Sequence, residues 1–257
     1  MRSIWTGSVS FGLVNIPVKL YSATESSSLD LDMLDKKDHS HIKFKRVNEK
    51  TGKEVAWEDI VKGYKVDNRY VVLTDEDFKK ASPEKTKTID IVEFVESEEV
   101  PPIHFESAYY LEPEKSGGKA YVLLRDSLTK SKKAALGSFV LRNKESLCLL
   151  APSEKILVLH KIRYAQEIRS TEDIKVPEAK VSNAEVQMAI KLIDQLSGEF
   201  DVSKYKDTYS ETLMKFIEAK AKGKKFAVPK LHVAHSATKD LMEELKASLD
   251  QVKKKAS

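Results

Sequence analysis

Apolar and polar positions alternate at the start of the chain: Trp5, Val9, Phe11 and Leu13 are separated by Thr6, Ser8, Ser10 and Gly12. A period of two predicts a half-buried strand. Pro17 cannot donate to a strand ladder, so the extended chain is expected to resume as Val18-Lys19-Leu20-Tyr21. Further strands are expected at 42–47, at 55–57 after a Thr51-Gly52 turn, and at 70–73, 89–95 and 107–111. A pair at 138–141 and 146–150, split by Asn143-Lys144-Glu145, and a strand at 155–164 follow. Two helices interrupt. One covers 74–80, with Thr74 as cap and acids in its first turn. The other follows Gly117-Gly118, with Ala120, Leu123, Leu124 and Leu128 as its apolar stripe. Many strands and few helices predict a mixed α/β chain, mainly β, built on a barrel or strongly bent sheet.

The period changes from Val181 onward. Ser182-Asn183-Ala184-Glu185 is a capping box, Val186, Ala189, Ile190, Ile193 and Leu196 recur at helical spacing, and Gly198 fits the position after the helix end. A second helix is expected over 207–222, with Tyr209, Leu213, Phe216, Ile217 and Ala221 on one stripe and Gly223 as its stop. Residues 223–236 read as a linker, and a last helix over 237–254 carries Met242, Leu245, Leu249 and Val252 as a narrow seam. Taken alone, that seam fits packing on the chain's own core and docking of a partner equally well.

Composition narrows the class. The chain has 257 residues, enough for a sizeable core, and no apolar run of membrane-spanning length. The amino terminus lacks the apolar region of a signal peptide. Cys148 is the only cysteine, so no internal disulfide is possible and a reducing cytoplasm fits. The net charge of +4 is too small to argue for nucleic acid, but charge is segregated. Residues 89–118 hold eight acids and one base, 125–163 hold nine bases and three acids, and 215–257 hold eleven bases and five acids.

No catalytic motif is present: Gly7 and Gly12 form neither a dinucleotide nor a phosphate-loop fingerprint, and there is no Gly-x-Ser-x-Gly. His39-Ser40-His41 and His232-Val233-Ala234-His235 are weak metal spacings without cysteine or acidic partners in register, so no metal or cofactor is expected. The basic stretches are the better lead. Lys43, Lys45 and Arg46 precede Lys53, and Arg125, Lys130, Lys132 and Lys133 lie on and after the Gly-Gly helix. Cations spread over strands and turns can meet a run of phosphates without base readout. On the residues alone, a solvated hydrophilic face is the better account of them.

The residue strings say more. The opening RSIWTGSVSFGLVNIPVKLYSAT resembles the amino terminus of bacterial Ku, a family of DNA-end-binding proteins of non-homologous end joining. So do DIVKGYKVDNRYVVLTDEDF at 59–78, FESAYYLEPEKSGGKAYVLLRDSL at 105–128, SFVLRNKESLCLLAP at 138–152 and LSGEFDVSKYKDTYSETLMKFIEAKAKGKK at 196–225. The blocks are long and collinear.

The resemblance implies a β-barrel core over 1–180 with a strand-rich, DNA-encircling arm at about 30–72, a helical segment at 181–223, and a linker with a partner-binding helix at 224–257. It implies a homodimer that threads onto double-stranded DNA ends, with Lys43, Lys45, Arg46 and Lys53 near the bore and Arg125, Lys130, Lys132 and Lys133 as further candidates. It implies recruitment of a multifunctional ATP-dependent DNA ligase by the last helix, through Leu241, Met242, Leu245, Leu249 and Val252, and a place in the bacterial cytoplasm near the nucleoid. No enzymatic activity of the chain itself is expected. Many members carry a Cys-x-x-Cys pair after the Lys-Arg-Val of the arm; here those places read Asn48 and Thr51, so no zinc knuckle is expected. From this sequence, neither the long Lys-rich tail of many members nor the eukaryotic amino-terminal domain is expected. The rival readings are a DNA-processing enzyme, which requires an acidic metal cluster, and an interaction module with solvated basic faces.

Overall fold

The computed structural model describes residues 1–81, 87–142, 144–224 and 241–256. They divide into two units, residues 1–26 with 30–170, and residues 27–29 with 171–257.

In the first unit, strands β1 (Trp5–Phe11) and β2 (Val14–Ser22) form a hairpin, β3 (Lys62–Val66) and β4 (Arg69–Leu73) form another, and the short helix α1 (Asp75–Ala81) follows. Then come β5 (Thr88–Glu96), β6 (Phe105–Pro113), helix α2 (Gly118–Ser131), β7 (Lys133–Leu141), β8 (Lys144–Ser153) and β9 (Ile156–Ile162). Seven strands close a barrel in the order β1-β2-β6-β9-β8-β7-β5, sealed by a parallel contact in which Val9 faces Ile89. This is the expected β-barrel.

Local chemistry explains the details. β1 turns into β2 through Gly12 at φ +60°, a conformation open to a residue without Cβ. Leu13, expected as the last inward strand residue, is instead fully exposed in that turn. Pro17 does not break β2. Ser8, its partner, sends its N–H outward to the Lys87 carbonyl, so Pro17 points away from β1, and the β2–β6 ladder begins only at Val18. The missing donor therefore costs no rung.

The barrel interior follows period two: Val9, Ile16, Val18, Leu20, Ile89, Leu111, Phe139, Cys148, Leu150, Leu157 and Leu159 are buried in one cluster. Strands β7–β9 are buried on their other face as well, where Ala134, Leu149 and Ile162 pack with Val100 and Phe105. That double burial is why 147–150 is continuously apolar. Helix α2 joins the core through Tyr121, Leu124 and Leu128, whereas Leu123 of the expected stripe is 61% exposed. The Tyr121 hydroxyl decides the difference. It donates to the Leu111 carbonyl and accepts from the Leu157 N–H, both at 2.7 Å, satisfying two backbone groups at the β6 and β9 ends.

The second unit contains α3 (Asn183–Leu196), α4 (Thr208–Ala221) and α5 (Leu241–Ala256). Ser182 and Glu185 form the expected capping box, and Asp207 caps α4. Hydrogen bonds from Ser182 to Glu185, and from Ser210 and the Tyr209 N–H to Asp207, hold both carboxyls below the usual range. Gly198 plays no cap role, since α3 ends at Ser197 in an extended conformation. No described residue of this unit is buried. The stripe of Val186, Ile190, Ile193 and Leu196 is exposed, and α3 touches α5 with Met188, Ala189 and Leu192 half-buried. The linker at 223–236 lies outside the described residues apart from Gly223 and Lys224, as does the start of the last helix before Leu241. No helix among the described residues is long and apolar enough to cross a membrane.

Candidate nucleic-acid interface

Between β2 and β5 the chain makes a long excursion in which no described residue from Tyr21 to Thr88 is buried. The strands expected at 42–47 and 55–57 are absent; only the isolated pairs Leu34↔His41 and Val47↔Glu54 form. The regular structure lies further on, in the β3–β4 hairpin, of which sequence reasoning found β4 and missed β3. Its turn places Asp67 and Asn68 at φ 44° and 68°, the left-handed pair of a tight hairpin. The available signal was Asp-Asn between Tyr64-Lys65-Val66 and Arg69-Tyr70.

The turn at 48–52 is held by side-chain chemistry. The Asn48 carboxamide oxygen accepts from the N–H groups of Lys50 (3.0 Å) and Thr51 (3.1 Å), and Gly52 takes φ +65°. Asn48 and Thr51 of this turn stand where the resemblance would put a zinc-binding cysteine pair. An amide oxygen already bonded to backbone and a threonine hydroxyl do not suit zinc, so these residues do not fit that metal. Among the described residues no group of three or more His, Cys, Asp or Glu is placed to hold a metal ion. Among the described residues, His41 pairs with Asp32 at 4.0 Å, and His232 and His235 lie outside them.

The eight predicted cations divide by what they already touch. Lys45 pairs with Glu54 at 2.7 Å across the Val47↔Glu54 bridge, and the Arg46 guanidinium lies 4.4 Å over the Trp57 ring. Both remain on the exposed arm, and an exposed ion pair is worth only about 0–1 kcal/mol, so Lys45 can exchange Glu54 for a phosphate. Lys43 and Lys53 are exposed and have no ion-pair partner among the described residues. Arg125 is different. Its guanidinium is bound to Asp126 at 2.7 Å and to the Lys155 carbonyl at 2.8 Å, and its side chain is 22% exposed, so it ties α2 to the β8–β9 turn. Lys133 faces Glu96 at 4.0 Å, while Lys130 and Lys132 are free of ion pairs among the described residues. No hydrogen bond or ion pair among the described residues joins the arm cations to those of α2 and β7. Lys62, Lys65 and Arg69 on the hairpin are exposed cations that the sequence reading did not single out.

Among the described residues, the shifted titratable groups lie in the core, in turns and at helix caps. Burial and the nearby Asp90 carboxylate push the Cys148 thiol up to about 12, which makes it a core residue rather than a nucleophile. Burial lowers the pKa of His160, whose ring sits edge-on to Phe105. The lowered carboxyls Asp38, Asp77 and Glu167 bond to neighbouring backbone or hydroxyl groups in turns and caps.

A family model described as the Ku70/Ku80 beta-barrel domain matches residues 10–188. The chain belongs to the Ku family. "Non-homologous end joining protein Ku" of Pseudomonas aeruginosa is 43% identical over 233 residues, covering 88% of this chain and 80% of that protein. The protein of that name from Bacillus subtilis is 40% identical over 99% of this chain and 83% of its own length. That from Archaeoglobus fulgidus is 39% identical over 98% of this chain and 100% of its own length. Among solved structures, the SPOC domain of human PHD-finger protein 3 matches with a TM-score of 0.31 at 11% identity, over 63% of this chain and 95% of that one, too distant to bear on Ku function. Ku membership places the chain among DNA-binding repair proteins.

Proposed function

We propose that two copies of this chain close a ring around duplex DNA at broken ends, without base specificity, and recruit a multifunctional ATP-dependent DNA ligase for non-homologous end joining. One observation supports the ring above the others. Among the described residues, every buried hydrophobic residue lies between Val9 and Ile162, in the barrel strands and α2, while the arm and the helical unit leave Phe44, Trp57, Tyr64, Phe200 and Tyr205 each at least 71% exposed. Burying one such side chain is worth about 1.5–3 kcal/mol, so two coreless excursions from one barrel gain most from a second copy. An arm rich in cations and poor in core suits the span around a polyanion. The chain itself is non-catalytic in this reading and acts in the cytoplasm on nucleoid DNA.

End dependence is the test. A ring loads onto linear duplex and not onto a covalently closed circle. In a gel-shift competition at equal base-pair concentration, linear duplex should displace a labelled end and relaxed closed circle should not. Equal competition by the two sinks the ring.

The ligase-recruiting seam is modified by the packing of α5. Met242, Leu245 and Leu249 are half-buried and α5 lies against α3, so the seam does not stand free; Leu241 and Val252 fall within α5, with side chains outside the described residues. The recruiting surface is then the α3–α5 pair, with the exposed Val186 and Ile193 beside it. Deleting residues 237–257 should leave the barrel and DNA-end binding intact and abolish stimulation of the partner ligase. A truncated protein that unfolds, or that still stimulates ligation fully, refutes this assignment.

A further inference from the structure

The β3–β4 hairpin is a two-stranded sheet outside the barrel, exposed from Lys62 to Val72 with only Leu73 half-buried. A lone two-stranded ribbon is marginally stable in water, so it gains from whatever covers its faces. Its ladder sorts the side chains, because successive residues of a strand point to opposite faces. Tyr64 stands opposite Val71, and Val66 and Leu73 share their face, which makes an apolar stripe. Lys65 stands opposite Tyr70 on the other face, next to Gly63, which pairs with Val72.

The two faces differ in chemistry. The stripe of Tyr64, Val66, Val71 and Leu73 suits a protein surface, and Tyr64 is among the rings that a second copy would bury. The opposite face offers one ring, one cation and a gap. A Cβ at Gly63 would lie 3.5 Å from Tyr70 Cδ1, so the ring lies beside a residue that has no side chain to cover it. Tyr70 is 71% exposed. Two neighbouring rings are already capped by cations: the Arg46 guanidinium lies 4.4 Å over Trp57, and the Lys62 ammonium 5.0 Å over Phe78. Among the described residues no cation caps Tyr70, although Lys65 is its cross-strand neighbour, and Lys65 has no ion-pair partner. Residues 62–73 hold three bases and one acid, so charge favours an anionic occupant.

Such an occupant brings a flat apolar face and a negative charge together. The paired bases of a duplex do not, because their faces are stacked on one another, and duplex phosphates need a cation and no ring. An unpaired nucleotide does, since every base has a π-face joined to a phosphate. We propose, resting on the DNA-end reading under Proposed function, that the Gly63–Lys65–Tyr70 face is a stacking platform for an unpaired base at an overhanging or frayed end. The base lies on the Tyr70 ring and its phosphate on Lys65. Stacking is indifferent to sequence, so the platform adds single-strand recognition to duplex binding without base specificity.

Abasic overhangs test this directly, because they keep the phosphates and lack the bases. The full-length protein would be titrated by fluorescence anisotropy with one labelled duplex, prepared blunt, with a short thymidine overhang on either strand, and with the same overhangs made abasic. On at least one strand the thymidine overhang should bind about ten-fold tighter than the abasic one, the scale of one base–aromatic stack. Tyr70→Ala should abolish that difference and Tyr70→Phe, which keeps the ring, should retain it. Lys65→Gln should weaken both overhang forms relative to the blunt duplex. All three variants should bind blunt duplex and sediment like the parent. The proposal is overturned if thymidine and abasic overhangs bind the parent alike, which would reduce the contact to phosphates, or if Tyr70→Ala keeps the preference. It is also overturned if Tyr70→Ala sediments as a smaller species, which would assign this face to the second copy, or loses blunt-duplex affinity in the same proportion, which would assign it to the duplex. The comparison in the parent decides alone if Tyr70→Ala does not fold. A missing overhang preference leaves the circle-against-linear result untouched, so the two readings fail separately.

Discussion

Replacing Phe139 with alanine should lower the unfolding free energy by about 3–5 kcal/mol, a large share of the ~5–15 kcal/mol that stabilises a typical domain. Phe139 heads the fully buried side chains in volume, at 1% exposed. It stands on β7 opposite Ile89 of β5 and Ser146 of β8, where three strands of the barrel meet. The wall there cannot collapse into the gap, because Gly137, two residues back, already brings β7 so close to β5 that an added Cβ would lie 2.3 Å from the Asp90 carbonyl oxygen. The cavity term should therefore be near its full size. Val92 provides the contrast on the same sheet. It is the extra residue of the irregularity between Ile91 and Glu93 and is 77% exposed, so Val92→Ala should change stability by no more than ~0.5 kcal/mol. Urea unfolding should show the midpoint falling steeply for Phe139→Ala and staying put for Val92→Ala, with the slope unchanged in both. Equal midpoints would mean that the barrel interior is not where stability resides.

That contrast also marks what could be read from the chain. The barrel strands were legible because each buries one face, and a buried face imposes its period on the residues. The arm was not, because nothing buries either face of 42–47: Ile42, Lys43, Phe44 and Lys45 alternate as a strand would, yet find no partner strand. A period of two is a necessary mark of a half-buried strand and gives no information about whether a neighbour exists. Helix α2 shows the converse. Apolar count favoured Leu123, but the helix turns Tyr121 inward because only a hydroxyl can reach both Leu111 and Leu157. The candidate site divides the same way. Lysine and arginine positions are visible in the string, and their engagements are not. Glu54 reaches Lys45 from nine residues away through a single bridge, and the Lys155 carbonyl reaches Arg125 from thirty away. Those contacts show Arg125 already engaged within the fold, whereas Lys43 and Lys53 have no ion-pair partner among the described residues.

The binding of linear duplex should fall steeply with salt, and Lys43→Gln/Lys53→Gln should flatten that dependence. A ring making about eight phosphate contacts gives a log–log slope near −7, from roughly −0.9 per phosphate. Each substitution appears twice in a homodimer, so the double variant removes about four contacts and brings the slope to about −4. The two lysines are the right pair to change because neither has an ion-pair partner among the described residues, so neutralising them leaves no carboxylate stranded. Lys45→Gln, by contrast, frees Glu54 on the arm and should weaken affinity by adding an uncompensated negative charge as well as by losing a cation. Arg125→Gln should act on stability first, because it cuts the tie between α2 and the Lys155 carbonyl, and should leave the salt slope near its parent value. Filter binding across a series of salt concentrations, on two duplexes of unrelated sequence, separates these outcomes. Indistinguishable slopes for the parent and the Lys43/Lys53 variant would remove the arm from the DNA interface; a flattened slope for Arg125→Gln alone would move the interface to α2.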